Sequence, residues 1–127
     1  MSSGRPLAVA LFAVLVLAGC GDSGGDSSGD AAKQDAAVKS SARSLATELE
    51  TCFIDRQTYE GCTGTSGPLG SAPGEVEVSA ASAGGYTLTA RSESGATFKV
   101  AKDAGTGATT RSCTPAGKGG CPAGGTW

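Results

Sequence analysis

The chain has 127 residues, a formal net charge of −2, five cysteines, no histidine and 5% aromatic residues. That length supports one domain rather than two, and the scarcity of aromatics leaves a small aliphatic core. The missing histidines remove the commonest general base and a frequent metal ligand, and from Ala31 onward nine basic side chains are balanced by nine acidic ones, so no net basic excess points to nucleic acid.

The chain opens with Arg5 in a short polar stretch, followed by twelve apolar residues, Leu7 to Ala18. Twelve residues make about 18 Å of helix, whereas a bilayer core needs roughly 20 residues. The segment therefore reads as a secretory signal peptide over residues 1–19. At its end stands Leu17-Ala18-Gly19-Cys20. This resembles the lipobox of bacterial lipoproteins. The resemblance implies that the Cys20 thiol takes a diacylglyceryl group and that cleavage falls between Gly19 and Cys20. It further implies acylation of the new amino group. Two or three acyl chains anchor stably where one is marginal.

Residues 20–30 read as the lipidated cysteine and a linker. Gly21 to Asp30 contains no apolar residue, so it has nothing to bury and is expected to be disordered. Ten such residues reach roughly 17 Å as a free coil. Asp22, Asp26 and Asp30 recur every four residues here and read as solvated linker charges rather than a metal site.

Residues 31–127 read as the exported domain. A long helix is expected from Asp30, as N-cap, to about Tyr59. Val38, Ala42, Leu45, Leu49, Cys52 and Phe53 give it one apolar stripe. The stripe is weak before Val38, so exposed or frayed first turns are expected. Asp35 and Lys39 read as an i,i+4 pair on the opposite, polar side. Three alternating runs follow, Glu75–Ser79, Tyr86–Ala90 and Ala96–Ala101, separated by Gly84-Gly85 and Ser94-Gly95. They read as strands joined by hairpin turns, with Tyr86, Leu88, Ala90, Phe98 and Val100 facing inward. Thr109–Cys113 reads as a fourth, edge strand. The expected fold is α+β: one N-terminal helix packed on an antiparallel meander of three to four strands. The tail from Thr114 has no periodicity, and Trp127 is expected to pack on the sheet.

Beyond Cys20 there are four cysteines, Cys52, Cys62, Cys113 and Cys121. An even number in a small exported domain implies two disulfides, for which three connectivities exist. The sequence-local choice, Cys52–Cys62 and Cys113–Cys121, is the reading preferred here. Each loop closure of this size stabilises by about 2.5–3 kcal/mol. A zinc site is disfavoured because the spacings are C-x9-C and C-x7-C rather than the short zinc pairs. No C-x-x-C redox pair is present.

The stretches SLATELETCFIDRQTYEGC, GEVEVSA, GYTLTARSESGATFKVAKDAGTGATTRSC and GGCPAGGTW together resemble the globular head of type IV pilin-like proteins. The likeness lies in the helix, the cysteine-bearing loop, the strand meander and the closed tail. It implies a non-catalytic head and a link to a type IV pilus or a type II secretion-like apparatus. The N-terminus departs from that family, which carries a long apolar assembly helix where this chain has a lipobox.

For chemistry, Glu75 and Glu77 read as a charge guard on an edge strand rather than a paired-carboxylate site, with Lys99 and Arg91 able to face them. Tyr59 and Phe53 read as core. No catalytic residue, metal ligand or cofactor is expected. The expected protein is a lipid-anchored, extracytoplasmic envelope protein with a protein partner. The competing expectation is a small surface lipoprotein that binds a ligand or partner unrelated to pili.

Overall fold

A computed structural model describes residues 27–127. Cys20, the Gly19–Cys20 cleavage site, Asp22 and Asp26 lie outside the described residues. One helix, α1 (Ser27–Arg56), precedes four strands: β1 (Val76–Ala81), β2 (Tyr86–Arg91), β3 (Thr97–Lys102) and β4 (Thr109–Thr114). The strands pair antiparallel in the order β1-β2-β3-β4. The helix lies across β1, β2 and β3 and leaves β4 outside its footprint. The fold is α+β, with a helix layer on a four-stranded meander.

The helix starts three residues before Asp30, inside the tract expected to be linker. Asp30 is therefore not the N-cap. It lies in the first turn, where a carboxylate is favoured by the partial positive charge of the helix N-terminus. At the other end the helix stops before Tyr59. Gln57 adopts φ 58°, the left-handed conformation that closes many helices. Its backbone N–H donates to the Phe53 carbonyl at 2.7 Å, and its side-chain amide donates to the Ile54 carbonyl at 3.1 Å. These bonds satisfy carbonyls that the end of a helix leaves without partners.

The apolar stripe is the packed face. Val38, Ala42, Leu45 and Leu49 are buried against Val76, Leu88, Ala90, Phe98 and Val100. A fully buried Leu or Phe contributes about 1.5–3 kcal/mol relative to exposure. Leu45, Leu49, Leu88 and Phe98 are all completely enclosed, so they form the centre of the core. Asp35 corrects the expected pattern. It is 1% exposed, not on the polar side. It stands three residues before Val38 and seven before Ala42, so the 3.6-residue period places it on the stripe itself.

The sheet follows the expected runs with small shifts in their ends. Tyr86, Leu88 and Ala90 are buried on β2, and Phe98 and Val100 on β3. In β1 the register slips between Val78 and Ala80, a bulge that breaks the strict alternation after Val78. The Ser82–Gly85 turn comes close to the end of β3. A Cβ on Gly85 would stand 2.5 Å from the Lys102 carbonyl oxygen, so the site admits only glycine without backbone movement. On the last hairpin, Asp103 accepts hydrogen bonds from the Gly105 and Thr106 amides at 2.9 and 2.7 Å.

The cysteines pair as Cys52–Cys62 and Cys113–Cys121, with Cα separations of 6.0 and 5.6 Å. The first ties the last turns of α1 to the loop behind it. The second closes the tail onto β4. Trp127 then folds back, half-buried, and its indole N–H donates to the Ser112 carbonyl at 2.9 Å.

Candidate functional site

The polar side chains that sequence reasoning singled out do not converge on one centre. Glu77 and Arg91 form an ion pair at 2.6 Å on β1 and β2. Glu75 lies just before β1 and accepts from the Ala72 amide at 2.9 Å, so it closes its own turn. Among the described residues no group of His, Cys, Asp or Glu is placed to hold a metal ion, and no helix is long and apolar enough to cross a membrane.

Two carboxylates on α1, Asp35 and Glu50, gather polar partners from outside the helix. Asp35 accepts from the Ser94 hydroxyl at 2.5 Å and from the Gly120 amide at 2.7 Å. Lys39, one turn on, donates to the Gly120 carbonyl and lies over the Phe98 ring, 4.9 Å from its centre. Helix and tail meet so closely that a Cβ on Gly120 would fall 2.9 Å from the Asp35 Cβ. Burial alone would push the Asp35 carboxyl up. The Ser92 and Ser94 hydroxyls, the Gly120 amide and the Lys39 charge together outweigh that and hold it below the usual aspartate range.

Glu50, four turns further along, receives three different donors. Lys102 Nζ lies 2.9 Å from both its oxygens, the Tyr59 hydroxyl 2.7 Å away and the Tyr86 hydroxyl 3.2 Å away. Partial burial works against its charge, but the bonds from Lys102 and Tyr59, the ammonium charge and Tyr86 hold its carboxyl low. The bond to Glu50 in turn raises Lys102. Burial, with the nearby Glu50 charge, pushes the Tyr86 phenol up to about 12. Each shift favours the charged pair and the neutral phenols. General acid–base catalysis at neutral pH needs a group titrating near 7, and these groups move away from it. The cluster is a clamp between helix and sheet.

Glu48 makes a third attachment, to the loop after Cys62. It accepts from the Thr65 amide at 2.5 Å and from the Ser66 hydroxyl. The Ser66 hydroxyl and the Thr65 amide hold its carboxyl below the usual glutamate range.

The remaining concentration of functional groups is at Trp127. Its ring lies edge-on to Phe98 at 5.8 Å. The guanidinium carbons of Arg43, from α1, and Arg111, from β4, each sit 5.2 Å from the indole centre, and Lys39 Nζ sits 5.9 Å away. Neither arginine lies within ion-pair distance of a carboxylate among the described residues. Beside them runs an open depression of about 500 Å³, lined by Thr109, Thr110, Arg111, Thr126 and Trp127. Sequence reasoning found the packing of Trp127 but not its cations, because Arg43 and Arg111 carry no local signal that they share a ring. Asp35 was detectable, since it falls on the helical stripe. Glu50, Lys102 and the two phenols were not, because their meeting depends on how helix and sheet cross.

Comparison of the chain with protein-family models, with curated proteins and with solved structures finds no match to any of them.

Proposed function

We propose that this chain is a non-catalytic bacterial lipoprotein, anchored through Cys20 on the extracytoplasmic side of the cell membrane, whose α+β head serves as a binding module. The observation that carries this reading is the agreement of two independent signals. Leu17-Ala18-Gly19-Cys20 stands behind an apolar run of signal-peptide length. The domain after it is closed by two disulfides, which persist in oxidising, exported compartments. Every other cysteine is thereby paired, and Cys20 is left for lipid.

The head is read as pilin-like. A helix followed by a 1-2-3-4 antiparallel meander, with a cysteine-closed loop and tail, supports that reading. The partner it implies is a type IV pilus or a type II secretion-like apparatus. The lipobox stands where pilins keep their assembly helix, so the head is proposed to contact such an apparatus without entering a filament. Only six residues separate Cys20 from the start of the helix at Ser27. Six residues of chain span at most about 22 Å, so the head is proposed to stay near the membrane surface.

Mass spectrometry of the mature protein, before and after reduction, tests the anchor and the bridges together. The expected product begins at acylated Cys20 and gains four hydrogens on reduction. A Cys20→Ser chain that still partitions with membranes would overturn the anchor. Co-purification under crosslinking tests the partner: recovery of pilin subunits or platform proteins supports the pilin reading. Their absence, with the anchor intact, leaves a ligand-binding lipoprotein unrelated to pili.

A further inference from the structure

The geometry points to a binding site for a phosphodiester-linked polyol in the trough beside Trp127, which Arg111 lines and against whose ring Arg43 of α1 is also held. The two guanidiniums come from different elements, α1 and β4, and converge on one ring. Both lie 5.2 Å from the same centre, so they are at most about 10 Å apart, a distance over which salt screens like charges only partly. Lys39 adds a third cation to the same ring. The helix carboxylates on either side of Arg43 are both occupied, Asp35 by Ser94 and Gly120 and Glu48 by Thr65 and Ser66. Among the described residues neither guanidinium has a carboxylate within 4.0 Å.

The indole explains how the cations are held. Cation–π attraction fixes each guanidinium near the ring, yet the planar fork keeps its N–H donors for another acceptor. No side-chain hydrogen bond from Arg43 or Arg111 to a described residue uses them up, and both residues are exposed. Two forks on separate elements suit successive phosphates better than one planar carboxylate, which a single fork satisfies bidentately. The trough is open along the β4 edge rather than closed, which accommodates a chain. The hydroxyls of Thr109, Thr110 and Thr126 line it and match the hydroxyls of a polyol between phosphates. The overall neutrality of the domain conceals this corner, because its acids are engaged elsewhere, as Glu50 and Glu77 are by Lys102 and Arg91.

Trp127 is the single tryptophan of the chain, so its fluorescence reports the site directly. The full chain, in neutral detergent micelles, is titrated with poly(glycerol phosphate), and calorimetry follows the same titration. Saturable binding that weakens as sodium chloride is added is expected, with none to uncharged polyglycerol. Arg43→Gln and Arg111→Gln should each weaken it about tenfold. Lys33→Gln removes the same charge from the exposed start of α1 and should leave it unchanged. A second arm places the full chain in phosphatidylglycerol vesicles and in phosphatidylcholine vesicles. A Trp127 response to the anionic vesicles alone, lost in the double arginine variant, assigns the site to a lipid headgroup. A response to the soluble polymer assigns it to a free phosphodiester chain. Binding in neither arm, binding that survives the double variant, or equal weakening by Lys33→Gln would overturn the site. None of these outcomes depends on the proposed pilus connection.

Discussion

Asp35 and Glu50 lie on one helix and perform the same task at opposite ends of the domain, yet by different physics. Asp35 is enclosed and bound by a hydroxyl and a backbone amide, with Lys39 alongside. Glu50 keeps 39% of its side-chain surface in solvent and is bound by an ammonium and two phenols. Each end also has its own disulfide, Cys113–Cys121 near Asp35 and Cys52–Cys62 near Glu50. The enclosed end depends on a charge satisfied by dipoles. The open end depends on a charge pair that water already screens. The contrast predicts that the burial of a carboxylate, rather than its number of partners, sets how much the fold loses without it.

Three measurements sharpen that contrast. The largest effect is expected from Asp35→Ala, which strands Gly120 N–H, Ser94 and Lys39 beside an enclosed gap. Removing one member of a buried polar pair costs about 3 kcal/mol, which for a domain of this size lowers Tm by roughly 15 °C. Calorimetric melting checks this, and a loss below 1 kcal/mol would show that the tail holds without its clamp. Glu50→Gln should cost less, about 1 kcal/mol, because a half-exposed ion pair contributes little net free energy. It leaves Tyr59 and Tyr86 an acceptor. If the two variants melt alike, burial is not what separates the two ends.

The smallest effect lies in pH, where the two ends share a sign in acid and the Glu50 end adds a response in alkali. Asp35 and Glu50 both have lowered carboxyls, so their contributions are present above the ordinary carboxyl values of 3.8 and 4.5 and fade as pH falls below them. Both ends therefore weaken in acid. Lys102 and Tyr86 are raised, so their contribution is complete below their ordinary values of 10.5 and 10.0 and is lost as pH climbs above them. The Glu50 end therefore also weakens in alkali. Phenolate absorbance should show Tyr86 ionising near pH 12. In the Glu50→Gln variant that titration should move back toward 10, and an unmoved curve would remove Glu50 as a cause.

Much of the fold is legible in the sequence because its signals are local. The stripe from Val38 to Leu49, the alternation in Tyr86–Ala90 and the glycine turns each act within a few residues. The helix ends are less legible. Ser27 begins the helix although its surroundings look like linker, and Gln57 ends it through a conformation usually left to glycine. Asp35 was misplaced because an acidic residue followed by Lys39 fits a surface pair. The helical period puts Asp35 on the buried stripe, and Ser94 with Gly120, 59 and 85 positions later, supplies the partners that let a carboxylate stay there.

The sequence by itself determined the α+β class and the inward faces of β2 and β3, and it favoured, among the alternatives, the local pairing of Cys52, Cys62, Cys113 and Cys121 and the packing of Trp127. These depend on periodicity, chain proximity and burial, which are written residue by residue. Tertiary structure alone decided that Glu50 meets Lys102, 52 positions away, that Asp35 seals the tail, and that Arg43 and Arg111 share the Trp127 ring. These contacts arise where α1 crosses the sheet and stops short of β4, and no local pattern encodes the crossing.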